Sequence, residues 1–368
     1  MYIFTFSLLG FFAMDDVLLN RKKYHLLFFS IAVLWFIFHD GFRWGIGTDW
    51  NNYHDYFLVC LETTDDGFEI GYTLLNQLVR TITSNYSVFL VLHALIVYLL
   101  ISRTIFKYGV NPLFSLFFFY CMMLSYLGMN RQYISFAICI FSYQFILEKR
   151  LFPFLLCIAT AFLFHKSALI FLFAYFLNKE FPIKYLITIF SVFFIISLSG
   201  IMNKLPLGMF FLFSESVGDK MEFYTESNFL TTNIVFTVLA LLKRSIWIIL
   251  AIAYRKHIKN KDENFNFFFN LYFVGAMMYI LFNNTVLQIV VARGLLYFNI
   301  AEIFLIPYIL TIFKDDITKR LVFLMVMVYG FLMIEKGINF YKEDLGYDIY
   351  RPYNSVLIDN QYNAYDQK

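Results

Sequence analysis

Residues 86–102 read YSVFLVLHALIVYLLIS. The stretch is continuously apolar and does not alternate residue by residue, so it predicts a helix rather than a strand of a membrane barrel. Many other runs of about 15–20 residues in the chain share this pattern, and such runs are long enough to cross a bilayer as helices. The stretch therefore predicts one membrane-spanning helix among many.

The composition supports the same class of protein. The chain has 368 residues, of which 60% are hydrophobic and 15% are charged, whereas a soluble globular chain carries about a quarter charged residues. So few polar side chains cannot cover the surface of a globule of this size. We predict an all-α fold, a polytopic bundle of membrane helices that forms a single membrane domain over 1–368.

We predict roughly twelve spans. The two short spans that flank His165 also fit two halves of a re-entrant hairpin, and this alternative stays open at the sequence level. The spans are placed near residues 2–19, 24–38, 86–102, 111–128, 131–147, 151–164, 167–178, 183–201, 231–253, 265–282, 288–313 and 321–336.

The short connections rich in Lys and Arg predict the sidedness of the chain. Segments such as NRKKYH (20–25), EKR (148–150) and YRKHIKNKDEN (254–264) fall on one side of the twelve-span arrangement. The positive-inside rule assigns that side to the cytoplasm. Both termini are then predicted to lie on the outer, periplasmic side.

Three longer segments are predicted on the outer face. They are a first loop, 39–82, whose part 68–82 forms an amphipathic helix at the membrane surface; a second loop, 202–230; and a C-terminal tail, 337–368. The tail is interpreted as a flexible end or as a flap over an outer site.

The first outer loop has an unusual composition. Residues 39–57 read HDGFRWGIGTDWNNYHDYF, in which Trp and Tyr rings are interleaved with carboxylates. Aromatic faces beside Asp or Glu are suited to stacking on sugar rings and binding their hydroxyls. A solvated loop of no special function is the alternative. The glycines of GIGTD complete no nucleotide-binding fingerprint and indicate a tight turn.

Four cationic residues lie at or beside span ends on the predicted outer face, against the general charge bias: Arg43, Arg131, Lys166 and Arg293. Arg binds phosphate oxygens in a bidentate manner, so an Arg at this level suits a lipid diphosphate. Snorkelling to lipid headgroups or pairing with a carboxylate is the alternative. Lys243 and Arg244 lie deep in the ninth predicted span, where a tilted or broken helix is the simpler explanation.

Several motifs together resemble the EpsG-like branch of the Wzy-type polysaccharide repeat-unit polymerases. These motifs, which follow the same order along nearly the whole chain, are FRWGIGTDWNNYHDYF (42–57), FEIGYTLLNQLV (68–79), MNRQYIS (129–135), FHKSALI (164–170), ARGLLYFNIAEIFLIP (292–307) and RPYNSVL (351–357). No Arg is followed by Gly eleven positions later, as in some members, so no role is transferred from that motif.

The resemblance implies an enzyme of the glycosyltransferase type in the bacterial cytoplasmic membrane. It would transfer a glycan from undecaprenyl diphosphate onto an incoming lipid-linked repeat unit at the outer face, making O-antigen, capsule or exopolysaccharide. The resemblance implies no metal, no cofactor and no nucleic-acid partner. Expected partners are the bilayer and the lipid-linked oligosaccharides, with a chain-length regulator and a flippase as further candidates.

Such a reaction needs cations for the leaving diphosphate and a base for the acceptor hydroxyl. The predicted diphosphate ligands are Arg131, Arg293, Arg43 and Lys166. The predicted bases are Asp49, His165 and Glu69, with His54 as a weaker candidate, and the predicted glycan contacts are Trp44, Trp50, Tyr53, Tyr72 and Tyr297. A related transferase such as an O-antigen ligase, or a repeat-unit flippase, is the alternative function.

Overall fold

The structure, a computed structural model, describes residues 1–19, 22–63, 67–204, 234–259, 262–282 and 288–357. Throughout these ranges the regular structure is helical, and no strand forms there apart from an isolated bridge between Arg43 and Ser355. The predicted all-helical class is confirmed. The predicted loop 202–230 lies outside the described residues from 205 onward, as do residues 358–368 of the tail.

The chain divides into two compact units, Met1–Leu172 with Phe313–Lys368, and Phe173–Ile312. The α-helices of the first unit are α1 Tyr2–Met14, α2 His25–Gly41, α3 Trp50–Val59, α4 Ile70–Ile82, α5 Tyr86–Tyr108, α6 Pro112–Met123, α7 Asn130–Phe141, α8 Tyr143–Leu147, α9 Leu151–Phe162 and, after the second unit, α16 Asp316–Leu345. Those of the second unit are α10 Ile183–Ser199, α11 Ile234–Ala253, α12 Arg255–Lys259, α13 Phe265–Phe282, α14 Gln288–Asn299 and α15 Glu302–Leu310. Shorter pieces include a 3₁₀ helix at Lys166–Leu177.

Among the described residues, four helical stretches are long and apolar enough to cross a membrane. They are Tyr2–Leu19, Tyr86–Tyr108, Phe265–Phe282 and Asp316–Phe340, and several apolar helices of 10–17 residues accompany them. The chain is accordingly a multi-pass membrane protein. The number of twelve spans stays a prediction.

Two of the predicted spans differ from a single continuous α-helix. The predicted span 131–147 is α7 followed by α8, and Ser142 lies between them. The Ser142 hydroxyl donates to the Cys139 carbonyl at 2.7 Å, and such a side-chain bond competes with the helical ladder. The predicted span 167–178 falls on the 3₁₀ helix Lys166–Leu177, in which each residue rises about 2.0 Å rather than 1.5 Å.

The segment predicted as an amphipathic helix forms α4. One of its faces packs against the first unit through Tyr72, Asn76 and Val79, which are buried. The other carries an exposed apolar row, which consists of Ile70, Leu74, Leu78 and Ile82. An exposed apolar row is suited to contact with lipid. The position of α4 at the membrane surface stays a prediction.

The loops of the first unit gather at two ends. At one end Lys107 pairs with Glu148 at 3.1 Å, and Asp16 pairs with His25 at 2.9 Å and accepts from Asn111 at 3.2 Å. The other end lies at the beginning of α5, about 34 Å away along that helix. The segments predicted to share the outer face contact one another at this second end.

Candidate functional site

A buried polar network around Arg43 forms the base of the second end. Arg43 is 1% exposed, and its guanidinium donates to the Asp40 side chain, to the Asp40 carbonyl at 2.7 Å and to Asn130 Oδ1 at 2.9 Å. The Asn130 side-chain amide donates to the Tyr86 hydroxyl at 3.2 Å. The backbone carbonyl oxygen of Asn130 lies 3.0 Å from Nε2 of His93. Because a buried charge is tolerated when it is paired, this network ties the end of α2 to the start of α7.

This placement changes the interpretation of Arg43. The predicted contact with a diphosphate assumed an open guanidinium, whereas the structure encloses that group among protein partners. Sequence analysis did not select Asp40, Asn130 or His93 as partners. The spacing of Asp40 and Arg43, three residues apart at the end of a helix, was the available signal.

Arg131, the next residue after Asn130, lies closer to the surface. Its side chain is 22% exposed, and Nη1 contacts Glu69 Oε2 at 2.6 Å while Nε donates to the Tyr53 hydroxyl at 3.3 Å. The guanidinium carbon lies 4.7 Å from the centre of the Phe68 ring, within cation–π range. Burial raises the pKa of Tyr53, so its phenol stays protonated at neutral pH. The predicted cation and one predicted base thus form a pair.

Glu69 is held from both sides. Oε2 contacts Arg131, and Oε1 accepts from the backbone N–H of Lys166 at 3.4 Å. The neighbouring Gly71 N–H donates to the Leu163 carbonyl at 2.8 Å, and a Cβ at Gly71 would lie 2.8 Å from that same oxygen. The close approach explains why glycine follows in this Glu-Ile-Gly motif. It joins the start of α4 to the turn that carries His165.

His165 and Lys166 lie on that turn. The Ser167 N–H donates to His165 Nδ1 at 3.3 Å, and the Ser167 hydroxyl lies 2.6 Å from the same nitrogen. A nitrogen that accepts from a backbone N–H is unprotonated, so the neutral ring carries its proton on Nε2. In this arrangement Nδ1 of His165 is an acceptor, and the Lys166 side chain is exposed.

The remaining predicted base, Asp49, begins α3. It is exposed, and its carbonyl accepts from the Tyr53 N–H at 3.1 Å. Its charge also acts on the Tyr53 phenol. His54, one turn further along, lies 3.3 Å from Asp55 Oδ1. Asp49, Tyr53, Glu69 and Arg131 therefore lie in one region of the first unit.

Aromatic rings form the floor of this region, but most of their faces meet other rings. Trp44 and Trp50 lie edge to face at 5.2 Å, and Tyr53 lies 5.3 Å from Tyr72. Trp44, Trp50 and Tyr53 are each less than a tenth exposed, and Tyr72 is fully buried. The prediction that these rings stack on sugars assumed open faces; the structure makes Tyr72 part of the core beneath the site.

The first part of the C-terminal tail packs against the site loop. Trp44 N–H donates to the Asn354 carbonyl at 3.1 Å, and Gly47 N–H donates to the Ile349 carbonyl at 3.2 Å. The Tyr353 hydroxyl donates to the His39 carbonyl at 2.6 Å. The tail was predicted to be a flexible end or a flap over the site. For residues 346–357 these contacts favour a flap held against the loop after α2.

The other predicted residues belong to the second unit. The backbone of Arg293 lies in α14, while its side chain is outside the described residues. Tyr297 is 1% exposed. Lys243 and Arg244 lie in the continuous helix α11; Lys243 Nζ is 3.9 Å from the buried Glu302, and Arg244 lies over the Tyr279 ring. Lys243 and Arg244 therefore each have a partner within this unit.

No group of three or more His, Cys, Asp or Glu side chains suited to a metal forms within the described ranges. The chemistry available in the first unit is that of a guanidinium, a carboxylate, a protonated phenol and an exposed ammonium at the end of a helical membrane bundle. Such a set can bind an anion and accept a proton from a hydroxyl.

These features define a multi-pass helical membrane protein with a basic and acidic site at one helical end. The EpsG family matches residues 26–355. The chain belongs to that family, and it is therefore a membrane protein related to polysaccharide synthesis. No curated protein matches the chain, and no solved structure does.

Proposed function

We propose that this protein is a repeat-unit polymerase of polysaccharide synthesis. It joins oligosaccharide repeat units carried on undecaprenyl diphosphate into O-antigen, capsule or exopolysaccharide. The observation that carries the proposal is the pairing of Arg131 with Glu69, on an aromatic floor, in a chain of the EpsG family. This pair supplies a cation for a diphosphate and a carboxylate for an acceptor hydroxyl within one site.

The roles follow from exposure and partners. Arg131 binds the donor diphosphate, and the exposed Lys166 adds a second positive charge beside it. Arg293 and Tyr297, from the second unit, are kept as proposed ligands from their sequence motif. Arg43 holds the fold beneath the site, since its guanidinium is bonded to Asp40 and Asn130. Tyr53, whose hydroxyl accepts from Arg131, and Trp50, on the same aromatic floor, are the proposed glycan contacts.

The proposed setting is the bacterial cytoplasmic membrane, with twelve spans, both termini outside and the site on the outer face. Two observations support it. The segments predicted outside meet at one end of the first unit, where Gly47 contacts Leu127 and Gly71 contacts Leu163. The basic connections around Lys107 and Arg150 lie at the other end.

The test is incubation of the purified protein with a single defined lipid-diphosphate repeat unit and no nucleotide sugar. A polymerase yields a ladder of products spaced by one repeat unit on a gel or by mass. Transfer of one unit to a different lipid acceptor without a ladder would instead identify a ligase. Movement of the intact substrate across a vesicle membrane would identify a flippase.

A further inference from the structure

Glu69 binds the guanidinium of Arg131, which is the group that a diphosphate would bind. We infer that Glu69 is an internal substitute for the donor: it holds Arg131 until the lipid diphosphate binds, and the exchange releases Glu69 as the base for the acceptor hydroxyl. The inference rests on the proposed function and adds an order of events to it.

The contacts favour an exchange rather than a permanent pair. Arg131 Nη1 and Glu69 Oε2 are 2.6 Å apart, and the Arg131 side chain is 22% exposed, so an incoming anion can reach the guanidinium. A diphosphate carries more negative charge than one carboxylate and presents oxygens to the guanidinium fork. It therefore competes successfully for Arg131.

This pair differs from the other Arg and carboxylate pair in the same network. Arg43 and Asp40 are each 1% exposed, and Arg43 has a further partner in Asn130. An anion from solution cannot reach that guanidinium. The structure thus holds one pair closed beneath the site and leaves the other within reach of a ligand.

The backbone beneath Glu69 stays in place during such an exchange. The Gly71 N–H donates to the Leu163 carbonyl, and the Lys166 N–H donates to Glu69 Oε1 at 3.4 Å. Only the side-chain torsions of Glu69 need to change when Oε2 leaves Arg131. The freed carboxylate is then available to the acceptor hydroxyl, which attacks the anomeric carbon from the face opposite the diphosphate.

The chemical step balances with these groups alone. The acceptor hydroxyl oxygen forms a bond to the anomeric carbon of the donor, and the bond from that carbon to the phosphate oxygen breaks. The electron pair leaves with the polyprenyl diphosphate, whose charge is stabilised by Arg131. The hydroxyl proton passes to the Glu69 carboxylate. His165, whose Nδ1 accepts from the Ser167 N–H, is not needed as a base.

The experiment measures binding and turnover separately in Glu69→Gln. Equilibrium binding of sugar-free undecaprenyl diphosphate to the purified protein should tighten about 3- to 10-fold, because Arg131 loses its internal competitor. Polymerisation should fall by about 100-fold or more, because the base is lost. The matched control is Glu148→Gln, an exposed carboxylate paired with Lys107 and Arg150 at the other end, which should change neither quantity.

Unchanged or weaker binding in Glu69→Gln would overturn the inference. It would mean that the carboxylate supports the structure of the site and does not compete with the diphosphate for Arg131. Tighter binding with normal turnover would also overturn the inference. Glu69→Asp keeps the charge on a shorter side chain, so it should bind more tightly and retain partial turnover if the Gln variant does not fold. A wild-type protein that forms no ladder refutes the proposed function instead, and this result is separate from the binding comparison.

Discussion

Arg43 donates to Asn130, and Arg131 is the next residue in the chain, yet the two arginines have different surroundings. Arg43 is enclosed, with its charge balanced by Asp40, so it contributes to the fold. Arg131 is partly open and shares its charge with Glu69. Burial therefore separates two arginines of the same predicted role into an enclosed structural group and a partly exposed group, for which we propose the binding role.

Loss of the Arg43 side chain should destabilise the protein strongly. Arg43→Ala leaves the Asp40 carboxylate buried and unpaired, which costs about 3–5 kcal/mol. Denaturant or thermal unfolding of the protein in detergent measures the change. Arg150→Ala is the matched control, because that side chain is 58% exposed and its pair with Glu148 contributes at most about 1 kcal/mol. Equal effects of the two substitutions would contradict the buried-network account.

The sequence indicated which residue types carry the chemistry, but not their burial. Arg43, Arg131, Glu69 and Asp49 were identified from charge placed among apolar and aromatic neighbours. The role of Asn130 is not predictable from the sequence, since its hydrogen bonds to Arg43 and Tyr86 depend on contacts between distant segments. The spacing of Asp40 and Arg43 indicates a pair, but it does not reveal that Asn130 also binds the Arg43 guanidinium.

At the scale of elements, the site depends on loops that approach each other closely. Gly47 and Gly128 have φ values of +106° and +105°, and a Cβ on Gly47 would collide with the Leu127 carbonyl oxygen. The Thr48 N–H donates to that same oxygen at 3.3 Å. The loop after α2 and the turn before α7 are thereby fixed together, and Arg131 follows directly.

Substitution of Gly47 should therefore disrupt this contact. Gly47→Ala combines a left-handed backbone, which costs about 1–2 kcal/mol, with an overpacked contact worth about 1–3 kcal/mol. Gly45→Ala is the matched control, since Gly45 has a φ of +62° and no atom within 4 Å of the added Cβ. Unfolding measurements should show the larger loss for Gly47→Ala. A loss in Gly45→Ala that equals or exceeds it would refute the close approach.

Helix ends were the least predictable feature at this scale. The apolar runs located the helices, yet the break at Ser142 and the 3₁₀ helix Lys166–Leu177 were not foreseen. Both depend on local hydrogen bonding that hydropathy does not record. The pairing of residues 346–357 with the loop after α2 likewise arises between segments about 300 residues apart in the chain.

At the scale of the whole molecule, the first unit separates an acidic and aromatic end from a basic end. From the positive-inside rule we propose that the basic end faces the cytoplasm and that the site faces the outside. The membrane class was predictable from the sequence because hydropathy is a property of long stretches, and the family was predictable from motifs in a fixed order along the chain.

Sidedness can be tested with single cysteines in a variant that lacks the four native ones. Asp55→Cys is at the proposed outer end, where the Asp55 side chain is 76% exposed, and Arg150→Cys is at the basic end, where the Arg150 side chain is 58% exposed. In intact spheroplasts a membrane-impermeant thiol reagent should label position 55 and spare position 150. Both should react after permeabilisation. The reverse pattern would place the site in the cytoplasm.

The central claim is that Arg131 binds the diphosphate of the glycan donor. Its most direct test is the product ladder made from a defined lipid-diphosphate repeat unit by purified wild type, Arg131→Ala and the exposed control Arg150→Ala. We expect a full ladder from wild type and from Arg150→Ala, and at least a roughly 100-fold lower yield from Arg131→Ala with the protein still folded. A normal ladder from folded Arg131→Ala would contradict the account.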